Sequence, residues 1–202
     1  MRNKKFGKHH RLLIYQRMMD RLWAATLVLG LMVVGLWWWS GDIFPLIPEP
    51  FDTIVIASGG VLIALAFLIF LMRSMAYVQA GPGHLRLVTP FLHLKISYRR
   101  IRTAHPAEFH ILFPPSKTKW ADKRLLGPFY GMTVLVVELS DFPIRQSVLR
   151  LFLPRAMFSP QAKGLVLVVK DWMKLSTELE SFLGIWLQKN TPVPRNPYLP
   201  SR

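Results

Sequence analysis

Two long uncharged apolar runs open the hydrophobic pattern of this chain. Residues 22–39 read LWAATLVLGLMVVGLWWW, and residues 53–72 read TIVIASGGVLIALAFLIFLM. Each run is close to the roughly 20 residues that a helix needs to cross the hydrocarbon core of a bilayer. Neither run has a polar face, which disfavours two core helices of a soluble protein. The pattern therefore predicts a transmembrane helical hairpin over 22–72, with spans at about 22–40 and 53–72.

From Ala76 the pattern changes to short runs typical of β-strands. AYVQ and HLRLVT flank a Gly-Pro-Gly turn, and the next run alternates, with Leu92, Leu94, Ile96 and Tyr98 on one face. Period two places one face of a strand in the core and the other in water. Four further strands are predicted over 108–113, 132–139, 147–153 and 164–171, with loops over 114–131 and 153–164.

A helical period appears only near the C-terminus. Apolar residues recur there at helical spacing: Leu179, Phe182, Leu183, Trp186 and Leu187. Thr177 followed by Glu180 fits a capping box that would begin this helix. Residues 76–190 are therefore predicted to form a cytoplasmic domain of six or seven mainly antiparallel strands covered by one helix. Residues 191–202 are rich in proline and predict an extended tail.

The charges that flank the two runs predict their orientation. The basic leader, 1–21, contains seven Lys or Arg residues, whereas the connection, 40–52, contains three acids and no Lys or Arg. Basic flanks stay on the cytoplasmic side, so both termini are expected on the cytoplasmic side of the membrane and the connection on the other side. Trp37, Trp38 and Trp39 would form a belt at the outer interface. A Trp cluster that contacts a partner or a pigment is the alternative.

The leader and the small residues of the spans add two expectations. The first run is too long for a cleaved signal peptide and has no cleavage site of small residues, so we expect a retained anchor. A partial apolar stripe would let the leader lie along the inner leaflet: Leu12, Leu13, Tyr15, Met18, Met19 and Leu22. Four glycines are candidates for close approach of the two helices: Gly30, Gly35, Gly59 and Gly60.

The formal net charge of +15 at pH 7 predicts an anionic partner or surface. The candidate contact surface for lipid or a partner consists of nine basic residues: Arg86, Lys95, Arg99, Arg100, Arg102, Lys117, Lys119, Lys123 and Arg124. Trp120, Phe129 and Tyr130 lie near the basic loop and would suit base stacking. The positive-inside bias already predicts excess basic residues beside the spans, so contact with an anionic leaflet is favoured over nucleic acid.

No pattern for a reaction is present. The chain contains no cysteine, and it lacks the metalloprotease, nucleophile-elbow, P-loop and dinucleotide-binding motifs. His84, His93, His105 and His110 are scattered, and the spans contain no histidine that could serve as an axial ligand. We therefore expect no catalytic residue, no metal and no cofactor. An enzyme of unrecognised chemistry that acts on lipid remains the alternative.

The opening of the cytoplasmic part, YVQAGPGHLRLVTPFLHLKISYRRIR, resembles the bacterial pleckstrin-homology-like membrane proteins. The positions that carry the resemblance are Tyr77, Leu85, Leu87, Ile96, Tyr98 and Ile101. It extends over about 77–188 and implies an open antiparallel β-barrel or sandwich with a C-terminal helix, in a binding or scaffolding role. Segment 114–131 is longer than a simple version of that domain needs.

Two functions follow as expectations. The first is a non-catalytic, membrane-anchored interaction or scaffold protein, an accessory subunit that binds other membrane subunits or itself. The second is recognition of anionic lipid headgroups by the basic cytoplasmic domain.

Overall fold

The computed structural model of the chain describes residues 6–42, 51–116, 118 and 120–190. Its helices are α1 (Leu13–Asp42), α2 (Phe51–Met72), α3 (Phe109–Leu112), α4 (Trp120–Leu126), α5 (Gln146–Phe152) and α6 (Trp172–Asn190). Its strands are β1 (His10–Arg11), β2 (Tyr77–Ala80), β3 (His84–Val88), β4 (His93–Ser97), β5 (Ile101–Glu108), β6 (Thr133–Leu139) and β7 (Gly164–Leu167). The predicted mixed α+β class, with two apolar helices ahead of antiparallel sheets and a C-terminal helix, is confirmed.

The strands form two antiparallel sheets. The first has the order β1-β2-β3-β4 and the second the order β5-β6-β7. The predicted alternation along β4 is confirmed, since Leu94 and Ile96 are buried whereas His93 and Lys95 are exposed. Strands β6 and β7 are buried almost throughout, so the core lies between the two sheets and α6.

Helices α1 and α2 are long and apolar enough to cross a membrane. With about 1.5 Å of rise per residue, their 30 and 22 residues span about 45 Å and about 33 Å. Within their most apolar stretches, 6% of α1 and 11% of α2 are buried inside the protein. Core helices of a soluble domain would be mostly buried, whereas most of the apolar surface of these two helices is exposed.

Two of the four candidate glycines lie where α1 and α2 pack together. A Cβ atom on Gly59 would lie 2.7 Å from Cγ2 of Val34, and a Cβ atom on Gly30 would lie 2.9 Å from Cγ1 of Ile63. The prediction of close approach is confirmed at these positions. It is wrong at Gly35 and Gly60, whose Cβ positions meet no other described residue within 4 Å.

The start of α1 belongs to the core of the domain that the two sheets and α6 form. Leu12, Ile14, Tyr15 and Met19 are buried, and the N–H of Leu13 donates to the carbonyl of Val168 at 2.9 Å. An apolar stripe that lies along a leaflet is therefore wrong for these leader positions, because the core already covers them. A domain limited to 76–190 would lack this part of its own core.

Two predicted strands are helices. Period two would place Leu149, Leu151 and Leu153 on one buried face, but Leu151 is 79% exposed while Leu149 and Leu153 are buried. An i, i+4 spacing of buried residues is helical, and α5 occupies this segment. The predicted strand 108–113 is wrong for the same reason: Phe109 and Leu112, three residues apart, are buried in α3.

The remaining corrections concern segment 114–131 and α6. Helix α4 and a 3₁₀ turn at Gly127–Phe129 occupy much of the segment that was expected to be a loop. Helix α6 begins at Trp172, so the predicted capping box is wrong. The hydroxyl of Thr177 instead donates to the carbonyl of Met173 within the helix, and Glu180 accepts from Ser176.

Candidate functional site

The turn between β2 and β3 lies at the end of the first sheet that is farthest from α1 and α2. This end is called the far end. The chain leaves α2 at Met72 and enters β2 at Tyr77, so the Tyr77 end lies near the helices. The hydroxyl of Tyr98 donates to the carbonyl of Gly81, and the Tyr98 N–H donates to the carbonyl of Gly83 at 3.5 Å. These bonds hold the residues that follow Tyr98 at the far end.

The predicted basic surface is divided between different parts of the domain. Arg99, Arg100 and Arg102 lie at the far end, where the carbonyl of Arg100 accepts from the N–H of Ser140 at 2.7 Å. Lys123 and Arg124 are exposed on α4, which contacts α1. Lys117 and Lys119 lie outside the described residues. The described members of the predicted surface therefore lie on different elements, and one continuous cationic surface stays a prediction.

Arg86 and Lys95 face each other on the outer side of the first sheet. They are paired in register between β3 and β4, and the guanidinium of Arg86 lies 5.7 Å from the centre of the Phe6 ring. Burial, together with Lys95 and Arg86, lowers the pKa of His84. Neighbouring cations thus disfavour a further positive charge at this position.

Glu178 of α6 holds the N-terminal segment onto the domain. Its Oε2 accepts from the N–H of Lys8 at 3.1 Å and lies 3.5 Å from Nε2 of the buried His10. Because β1 extends the first sheet beside β2, this contact fixes the segment that leads into α1. The domain formed by the two sheets and α6 is therefore connected to α1 by side chains as well as by backbone pairing.

A pair of opposite charges links α1 to the end of α2. Nη1 of Arg73 donates to Oδ1 of Asp20 at 2.8 Å, and the same guanidinium lies 4.9 Å from the Phe70 ring centre. Phe70 in turn packs edge-on against Trp23, with ring centroids 5.4 Å apart. At the opposite end of α1, Trp38 and Trp39 are exposed and Trp37 is half-buried, as an interfacial belt requires.

Two neighbouring cavities, together called the two-lobed cleft, share lining residues, and the first of them lies beside the start of α1. Its first lobe, of about 440 Å³, is mainly apolar and is lined by Met18, Phe113, Thr118, Asp122, Leu125, Leu126, Pro154, Arg155 and Ala156. Its second lobe, of about 420 Å³, is lined by Phe113, Gln146, Arg150, Arg155, Phe158, Ser159 and Pro160. The lobes share Phe113 and Arg155, so they are neighbours.

Sequence reasoning missed this cleft. Arg150 and Arg155 come from α5 and from the 3₁₀ turn that follows it, a segment that the pattern predicts as a strand and a loop. The i, i+4 spacing of Leu149 and Leu153 was the signal that could have predicted a helix here. A helix would have placed both arginines on one exposed side. The described residues contain no group of three or more His, Asp or Glu side chains that could hold a metal ion.

No protein-family model, no curated protein and no solved structure matches this chain.

Proposed function

We propose that this chain is a non-catalytic, membrane-anchored interaction protein, an accessory subunit of a larger membrane assembly. In this proposal α1 and α2 cross a bacterial inner membrane as a hairpin, with both termini in the cytoplasm. The two sheets and α6 form a domain that presents binding surfaces at a fixed height above the inner leaflet. Its partners are other membrane subunits or further copies of the same chain.

The observation that carries the proposal is the continuity of α1. One helix runs from the domain core, where Tyr15 and Met19 are buried, to the exposed apolar stretch that ends in Trp38 and Trp39. Strand β1 and the Leu13–Val168 hydrogen bond attach the same helix to both sheets. A domain built in this way cannot swing freely on its anchor, which suits a scaffold that holds a partner in one position.

The charges and lengths support a membrane position for the hairpin. The Asp20–Arg73 pair lies at the cytoplasmic end of both apolar stretches, so charged side chains satisfy each other where the hydrocarbon would begin. The 20-residue stretch of α2 spans about 30 Å, which matches the hydrocarbon thickness. Exposed apolar side chains along both helices, such as Leu36, Val61 and Phe67, would then contact lipid or a partner helix.

The resemblance to bacterial pleckstrin-homology-like membrane proteins belongs to the same proposal. Two antiparallel sheets of four and three strands, followed by α6, agree with the open barrel or sandwich that the resemblance implies. The leader supplies β1 of the four-stranded sheet. The implied role is binding rather than a reaction, which is why we propose an interaction protein rather than an enzyme.

Single-cysteine labelling tests the membrane topology. The natural chain has no cysteine, so each introduced thiol is unique. We expect Leu46→Cys, in the connection between the helices, to react with an impermeant maleimide in intact spheroplasts. Ser97→Cys, exposed in β4, should react only after permeabilisation. Reaction of both thiols in intact spheroplasts, or of neither, would contradict the proposed topology.

Purification of the tagged full chain from its native membrane in a mild detergent tests the partner. We expect stoichiometric co-elution of at least one other membrane protein, identified by mass spectrometry. A chain that lacks 191–202 serves as a comparison, and loss of the partner from it would assign the contact to the proline-rich tail. A single species that elutes alone would contradict the role of accessory subunit.

Recognition of anionic lipid is the second candidate function. The basic residues predicted for it are divided between the far end and α4, which argues against a contact through all of them at once. Arg150 and Arg155 favour a different version, because both line the cleft beside α1.

A further inference from the structure

We propose that the two-lobed cleft binds a single anionic phospholipid from the inner leaflet, with its phosphate on Arg150 and Arg155 and an acyl chain in the apolar lobe. This inference rests on the part of the proposed function that places α1 and α2 in a membrane. It does not depend on the presence of a partner subunit.

The position of the cleft relative to α1 is the first argument. Met18, which lines the apolar lobe, precedes Asp20 by two residues and therefore lies about 3 Å from it along the helix axis. Asp20 pairs with Arg73 at the end of the α2 apolar stretch. Met18 thus places part of the wall of the apolar lobe within one helical turn of the level at which the hydrocarbon would begin, close enough for an acyl chain to reach it.

The order of the two lobes is the second argument. Ser159, in the second lobe, donates its N–H to the carbonyl of Gly164, and Gly164 pairs with Glu138 toward the far end of the second sheet. With increasing distance from the membrane, the apolar lobe therefore comes first and the cationic lobe second. A phospholipid of the inner leaflet has the same order, with its chains on the membrane side and its phosphate on the cytoplasmic side.

The charges in the second lobe are the third argument. Among the described residues, neither Arg150 nor Arg155 forms an ion pair, and both side chains are exposed. Gln146 and Ser159 add neutral hydrogen-bonding groups, and no acidic residue lines this lobe. Guanidinium groups bind phosphate oxygens through paired, charge-assisted hydrogen bonds, so two of them suit a phosphodiester that carries one negative charge.

The first lobe and its surroundings suit the rest of the lipid. Leu125 and Ala156 give it apolar walls, while Asp122 is its acidic member and can accept from a glycerol hydroxyl. Ile111 is 60% exposed and precedes Phe113 by two residues, and Leu151 is 79% exposed and follows Arg150 directly. Exposed apolar side chains next to a cationic cleft are typical of surfaces that contact a membrane.

Lipid retention by the full chain tests the proposal. The protein is reconstituted in nanodiscs of equal phosphatidylcholine and phosphatidylglycerol, extracted in a mild detergent, and the retained lipids are quantified by mass spectrometry. We expect the natural chain to retain phosphatidylglycerol over phosphatidylcholine by about tenfold, because two guanidiniums favour net negative charge. The double variant Arg150→Gln, Arg155→Gln should retain both lipids about equally.

A matched variant and a lobe-filling variant complete the design. The double variant Arg99→Gln, Arg100→Gln removes the same charge at the far end and should keep the preference. Leu125→Trp fills the apolar lobe without changing the charge and should also abolish the preference. Equal loss in both charge variants would overturn the proposal, because nonspecific surface charge would then explain the preference.

Two further results separate the possible failures. Soluble glycerophosphoglycerol at millimolar concentration should leave the retained lipid in place, and its displacement by this headgroup would mean that the cleft binds a soluble anion rather than a lipid. Labelling of the Leu46→Cys and Ser97→Cys chains in intact spheroplasts, as described above, reports insertion independently. An inserted chain without lipid preference overturns this inference alone, whereas a chain that does not insert overturns the proposed membrane anchor.

Discussion

At the residue scale, Tyr98 joins two turns of the first sheet. Its side chain is buried and its hydroxyl donates to the carbonyl of the buried Gly81. Tyr98→Phe leaves that carbonyl unpaired, so we expect the free energy of unfolding to fall by about 1–2 kcal/mol. Thermal unfolding of the full chain in detergent measures the change. Tyr77→Phe, at a half-buried ring stacked on His9, should change it much less.

The ionisation of Tyr98 gives the same contact a dependence on pH. Burial raises the pKa of Tyr98 to about 12 from 10.0. Above about pH 10 the unfolded chain loses this proton while the folded chain keeps it, so the stabilisation declines between those two values. The difference in the free energy of unfolding between the natural chain and Tyr98→Phe should therefore be smaller at pH 11 than at pH 9.

His84 should make the folded state sensitive to acid. Burial, Lys95 and Arg86 lower the pKa of His84 below its ordinary value of 6.5. As the pH falls through 6.5, the unfolded chain binds the proton first, so stability decreases on the acid side. His84→Phe should reduce the loss of stability between pH 7.5 and 5.5, measured by denaturant titration. The same change at His93, exposed on β4, is the matched control.

The residues of the candidate site show how far the sequence reaches at this scale. Alternation correctly predicts the buried face of β4, because a period of two is visible within a single strand. The convergence of Arg150 with Phe113 and Met18 is not predictable in this way, because it depends on how three separate elements pack. A basic residue is visible in a sequence, but the absence of an ion pair is visible only in the fold.

At the scale of elements, two adjacent glycines of α2 differ in their position relative to α1: Gly59 faces α1 and Gly60 does not. A side chain on Gly59 would meet Val34 and come within 3.5 Å of the carbonyl oxygen of Gly30, whereas Gly60 faces away from the described residues. Gly59→Leu should therefore destabilise the hairpin by about 1–3 kcal/mol, while Gly60→Leu should not. Both substitutions add the same apolar surface, so the comparison isolates helix packing.

Thermal unfolding in detergent, followed by tryptophan fluorescence, measures this difference. Trp23 packs on Phe70 across the two helices and reports their separation. A lower midpoint for Gly59→Leu alone is the expected result. Equal midpoints for the two variants would mean that the helices do not approach at Gly59 as described.

Element types were predictable where the elements are long. The two apolar helices and α6 extend over at least 19 residues, so several turns of periodicity agree. Helices α3 and α5 contain four and seven residues, and within such lengths a run of apolar side chains fits a strand equally well. The cleft is built from these short elements, which explains why the sequence did not predict it.

At the scale of the whole molecule, the unexpected feature is the origin of β1. A strand of two residues has no readable period, and its partner β2 lies 66 residues later, beyond both apolar helices. Only the folded chain shows that the leader closes the first sheet and that α1 starts inside the core. The boundary between the apolar stretch of α1 and the domain is therefore a continuous helix rather than a linker.

Because α1 is continuous with the domain, we expect a change in the helical register of α1 to lower the stability of the whole chain. Insertion of one alanine between Arg21 and Leu22 rotates the outer part of α1 by about 100° relative to the domain. Helix α2 is attached to the same domain through β2, so the rotation cannot keep both the Asp20–Arg73 pair and the Gly30–Gly59 contact. We expect a clear fall in the unfolding midpoint of the full chain in detergent.

A matched insertion makes this prediction specific to the rigid junction. One alanine placed after Leu46, in the connection between α1 and α2, changes neither helix's register and should leave the midpoint near that of the natural chain. If both insertions are tolerated equally, α1 is hinged at Arg21 and the domain is not held at a fixed height. The scaffold proposal would then lose the observation that carries it, since a hinged domain presents its surfaces in many orientations.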